Sequence, residues 1–109
     1  MSPYVFAWLK AFAFTQLVEV PVYRRAGCPW AGAFAASALT HPVVWFVIFP
    51  HAPIGYVAKA VLAETFAWGA EALWLRYALG IKRAWAWSLL ANGLSFGLGL
   101  ASRALYGWP

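Results

Sequence analysis

All three acidic residues of this chain, Glu19, Glu64 and Glu71, fall inside long apolar segments. A carboxylate at the centre of a bilayer costs about 2.5–3.5 kcal/mol even on lenient insertion scales, so such groups face the interior of a helix bundle and often mark ion or proton sites. The stretch 54–77, IGYVAKAVLAETFAWGAEALWLRY, carries two of them. At about 100° per residue, the seven-residue spacing returns Glu71 to within roughly 20° of Glu64, two turns away on one helix face. Three further stretches, 3–23, 30–49 and 84–106, are comparably apolar. Each has the roughly 20 residues that cross a hydrocarbon core of about 30 Å. Composition agrees: 64% of residues are hydrophobic and 10% charged, against about half and a quarter in soluble domains. The expected fold is all-α: an integral membrane protein with four transmembrane helices in a small antiparallel bundle, one domain over 1–109.

Polar residues recur at set places along the four segments. In the first, Thr15 and Gln16 share a helix face with Glu19, and Pro21 is expected to kink or end the helix near that carboxylate. The second opens on small residues and carries Thr40-His41-Pro42 near its middle. The fourth bears Ser88, Asn92 and Ser95 at i, i+4 and i+7. Its Gly93, Gly97 and Gly99 predict the closest helix approach. Arg24, Arg25, Arg76, Lys82 and Arg83 cluster in the first and third loops, which the positive-inside rule makes cytoplasmic. Both termini and the 50–55 turn are then non-cytoplasmic, in a multi-pass protein of a bacterial inner membrane. No cleavable signal peptide is expected, because the first segment lacks a basic leader and a small-residue cleavage site. The net charge of +5 is spread over loops and segment ends, a pattern of topology control rather than nucleic-acid binding.

Counting depth from the loops puts Glu19, Glu71, Ser88 and Asn92 in an inner layer. His41, Glu64 and Ser95 fall in a mid-membrane layer, with Thr40 or Gln16 beside them. Paired carboxylates cannot both ionise cheaply and can hold a shared proton or a metal ion. His41 beside Glu64 would add a proton relay or a nitrogen–oxygen ligand set. The candidate ion or proton site is therefore Glu19, Glu64, Glu71, His41, Asn92 and Ser95. The same groups also read as hydrogen-bonding glue between helices. Cys28 is the only cysteine, which excludes an internal disulfide and a Cys-x-x-Cys metal motif. Phosphate-loop, metalloprotease, kinase and hydrolase motifs are missing, so no enzymatic activity is expected. His41 among Trp45 and Phe46 also permits a haem or pigment ligand, although an aromatic lipid face is the plainer reading.

The pattern Glu19-x-Pro21, Thr40-His41-Pro42-x-x-Trp45, Glu64 with Glu71, and Ala91-Asn92-x-x-Ser95-Phe96 resembles a recurring type of small bacterial membrane protein. That resemblance implies the fold and no activity. Two functional expectations follow: a proton- or cation-binding transporter or channel component, or a non-catalytic accessory subunit of a larger membrane complex. Lipid is the expected surrounding, and a homo-oligomer or a membrane complex the expected assembly.

Overall fold

The computed structural model describes residues 1–108, and among them the chain is helical with no strand. Four helices follow one another: α1 (Pro3–Ala26), α2 (Trp30–His51), α3 (Tyr56–Leu73, continued by a π-helical turn Trp74–Ala78) and α4 (Ala84–Tyr106). Loops of three to five residues make consecutive helices antiparallel. The strongest contacts join α1 to α4, α4 to α3, α1 to α2 and α2 to α3. The bundle is thus a four-membered ring around a shared centre.

Local chemistry sets the ends. Ser2 caps α1 by accepting from the Val5 amide at 3.1 Å, and Pro3 follows at the first helical position, where its missing N–H costs nothing. At the other end Gly27 takes the left-handed conformation (φ 107°). The Gly27 and Cys28 amides return to the Arg24 and Tyr23 carbonyls at 3.1 and 3.0 Å, which satisfies acceptors that a helix end otherwise leaves open. Helix α1 runs through Pro21 and ends three residues beyond the expected Tyr23. A proline removes one backbone bond, and the buried contacts of Tyr23 hold the turn that follows. Helix α2 also passes its proline: Pro42 is followed by a π-helical turn at Val44–Ile48, and the helix continues to His51.

The interior is made of small and polar side chains, and the exterior of large apolar ones. Ala33, Ala36, Ser37, Ala63, Ala72, Ser88 and Ala91 are buried, whereas Leu17, Trp30, Val57, Val61, Leu89 and Leu105 are more than half exposed. Small inward residues let backbones approach closely. Tyr23, Cys28, Leu75, Ile81 and Ala84 close one end of the bundle as an apolar plug. Two helices, Pro3–Ala26 and Trp30–His51, are long and apolar enough to cross a membrane. Helix α3 carries Lys59, Glu64 and Glu71 within its 18 residues, which lowers its apolar character.

The tightest helix approach is at Gly32, not in α4. A Cβ placed on Gly32 would lie 2.7 Å from Leu79 Cδ1, and the Gly32 carbonyl accepts from Trp74 Nε1 at 3.0 Å. At Gly93 and Gly97 an added Cβ meets nothing within 4 Å; at Gly99 it meets Phe14 Cε1 at 3.6 Å. The α4 glycines therefore form no close seam within the chain, and Gly93 and Gly97 lie on the outer surface.

Candidate functional site

Above the apolar plug the four helices converge on Glu71, which is 1% exposed. Its carboxyl receives a donor from each of the other three helices. Tyr23 of α1 donates to Oε1 at 2.6 Å, Thr40 of α2 to Oε2 at 2.6 Å, and Asn92 Nδ2 of α4 to Oε1 at 3.3 Å. Asn92 is held in turn by the Ser88 carbonyl at 2.9 Å, while the Ser88 hydroxyl donates to the Trp68 carbonyl at 2.8 Å.

Glu19, equally buried, has one such partner: Ser95 Oγ donates to its Oε2 at 2.6 Å. Its Oε1 is buried without a hydrogen-bond partner, as is the Ser37 hydroxyl. The Glu19 and Glu71 carboxyls are near neighbours and line the same cavity.

Both carboxylates and Ser37 line a cavity of about 1300 Å³. Its wall also holds Thr15, Thr40, His41, Glu64, Asn92 and Ser95, with Tyr4, Trp45 and Phe46 as aromatic surface. Lys10, His51 and Arg103 line it as well. Lys10 precedes Glu19 by nine residues and Arg103 follows Ser95 by eight, each about 12–14 Å along its helix at 1.5 Å per residue. The cavity thus runs from the carboxyl pair to the end of the bundle where α1 and α3 begin and α2 and α4 finish.

The two layers expected from depth counting merge into one network. Ser95 meets Glu19 and Thr40 meets Glu71, although the count separated them by about a turn. The longer C-terminal end of α1, which extends to Ala26, shifts Glu19 further from the helix end than a helix ending at Tyr23 would. His41 is engaged elsewhere: its Nε2 lies 3.3 Å from Thr15 Oγ1, and its ring packs between Phe12 and Trp45, while Nδ1 has no partner. The structure pairs His41 with Thr15 and not with Glu64. Glu64 is half-buried and lines the cavity, outside the bonds that tie up Glu19 and Glu71.

Tyr23 and Ser37 belong to the site and were not among the candidates. A signal for both lies in a weak internal repeat. Glu19 followed by Ser37-x-x-Thr40 matches Glu71 followed by Asn92-x-x-Ser95, and the residues four past each glutamate, Tyr23 and Leu75, are both fully buried. The repeat maps the α1–α2 hairpin onto α3–α4. Its bonds cross between hairpins: the α1 carboxyl takes the α4 hydroxyl, and the α3 carboxyl takes the α2 hydroxyl, each at 2.6 Å.

Among the described residues no group of three or more His, Cys, Asp or Glu side chains is placed to hold a metal ion. No protein-family model matches the sequence, and neither the curated proteins nor the solved structures searched give a match.

Proposed function

We propose that this chain is a small four-span membrane protein in which Glu19 and Glu71 bind a proton or a small cation at the floor of an open vestibule, as a transporter or channel component. The carrying observation is the unequal bonding of two adjacent buried carboxyls. Glu71 has three donors, as an ionised acceptor needs, whereas Glu19 Oε1 has none. A hydrogen bond between two carboxyls requires one proton, and placing it on Glu19 gives that oxygen a bond to donate. The cavity gives this proton a path to one face of the bundle, and the buried Ser37 hydroxyl is a further group for a hydrated ion to engage. The membrane reading is supported by the large apolar exterior around a small-residue interior, the arrangement expected when lipid is the solvent.

Infrared spectroscopy of the protein in lipid tests the shared proton. A protonated-carboxyl band is expected at neutral pH and should vanish in Glu19→Gln. If the wild-type protein has no such band, the shared proton is absent and this reading fails.

Topology gives a second expected outcome. Gly55, exposed and with open space where a Cβ would point, should as Gly55→Cys react with an impermeant thiol reagent on intact cells. Cys28 supplies no background. It is 0% exposed, and burial pushes its thiol pKa up, partly offset by Arg24, so thiolate is scarce. Labelling of Gly55→Cys only after lysis would reverse the orientation.

The accessory-subunit reading has its own support, because the Glu71 network ties together all four helices. Substitutions at Glu71 separate the two readings.

A further inference from the structure

A second cavity, about 610 Å³, lies on the flank of the bundle between α3 and α4. Its walls are apolar at Val57, Val61, Leu89 and Leu100, and Tyr56, Trp68 and Phe96 add aromatic surface. The sole charged residue lining it is Glu64. Glu64, Asn92 and Phe96 line the central cavity too, so the groove and the vestibule share a wall.

Three properties of this groove select its occupant. An apolar channel on the outer surface accepts an apolar body. A half-buried carboxylate outside the Glu19–Glu71 bonds calls for a positive charge, because an unpaired charge in such surroundings is costly. Aromatic rings beside it favour a soft, weakly hydrated cation such as a quaternary ammonium. A metal ion would want a set of converging oxygen or nitrogen ligands, and the groove offers one carboxylate. Lys10 and Arg103 line the vestibule, whereas among the described residues no basic residue lines the groove.

We infer that the α3–α4 groove binds a lipophilic organic cation, a quaternary ammonium, a phosphonium or a protonated amine on an apolar body, with Glu64 as its counter-charge. The inference rests on the membrane reading above but on a different carboxylate from the proton pair, so the two fail separately.

The test uses the full chain in nanodiscs of neutral lipid, with tetraphenylphosphonium as the probe and tetraphenylborate as a control of matching shape and opposite charge. Phosphonium binding should be saturable, and the borate should not compete. Glu64→Gln should weaken phosphonium binding by about tenfold or more. Gly93→Phe, which fills the groove from a position facing open space, should do the same. Glu19→Gln should keep phosphonium binding, so loss of the carboxyl infrared signal there leaves this result unaffected. Unchanged melting temperatures in both groove variants confirm that the site, not the fold, was altered. Equal binding of the borate, or wild-type affinity in Glu64→Gln, overturns the inference. So does a groove occupied by a second copy, read as a disulfide-linked dimer of Gly93→Cys that binds no phosphonium.

Discussion

Glu71→Ala is expected to destabilise the protein by about 3–5 kcal/mol, while Glu71→Gln leaves it folded and silences its titration. The alanine strands three buried donors on three helices. Interhelical hydrogen bonds in membranes are worth about 0.6 kcal/mol on average, so the bonds alone amount to roughly 2 kcal/mol. Leaving buried donors unsatisfied adds about 1–3 kcal/mol, and the void adds more. Glutamine keeps the volume. Its carbonyl still accepts from Tyr23 and Asn92, and its amide can donate to Thr40 Oγ1. Thr40 then turns its own hydrogen to the Ala36 or Ser37 carbonyl, 3.5 and 3.4 Å away. Thermal unfolding in detergent checks the stability of both variants. Proton flux into proteoliposomes checks function, and Glu71→Gln should abolish it. Should Glu71→Gln behave like wild type while Glu71→Ala unfolds, Glu71 is structural and its part in the proton site falls.

Gly32→Leu should cost about 1–3 kcal/mol or more, the range for overpacked cores, because even the first added carbon lies 2.7 Å from Leu79. Leu79 can yield by rotating for an alanine; for a leucine it has to leave, and the Trp74 bond to the Gly32 carbonyl goes with it. Gly97→Leu, whose Cβ points into open space, should stay within about 0.5 kcal/mol, as exposed substitutions do. Melting curves of the two variants check the contrast. Comparable losses would mean that the α4 glycine face is packed after all, and loss of an oligomer in Gly97→Leu would place that face between copies.

Much of the helical layout was legible because apolar length and turn residues report it directly. Trp30 and Ala84 begin their helices where loop residues end, and Tyr106 closes α4 before Gly107. Pro21 misled, since a local rule cannot see that Tyr23 is fastened to Glu71. Glycine spacing misled similarly: a small-xxx-small pattern says that an approach is permitted, not which neighbour makes it. For the site, rarity was informative. Three carboxylates in apolar segments pointed to Glu19 and Glu71. Depth counting then failed by about one turn, enough to separate Ser95 from Glu19 and to send His41 towards Glu64. Tyr23 escaped notice because a tyrosine near a segment end reads as an interfacial anchor.

The crossed pairing of the two hairpins also has a consequence for assembly. Glu19 emerges 76 residues before the hydroxyl of Ser95 that it accepts from, and Thr40 emerges 31 before Glu71. Neither hairpin contains the hydroxyl partner of its own acid, although Asn92 serves Glu71 from within the second. If the bundle forms in a membrane, as proposed, the first hairpin must keep Glu19 hydrated or neutral until α4 arrives, because a bare carboxylate is costly in lipid. Docking of the second hairpin therefore satisfies both acids together. On that proposal an α1–α2 hairpin without α3–α4 is an intermediate that lipid penalises, which couples completion of the bundle to completion of the site.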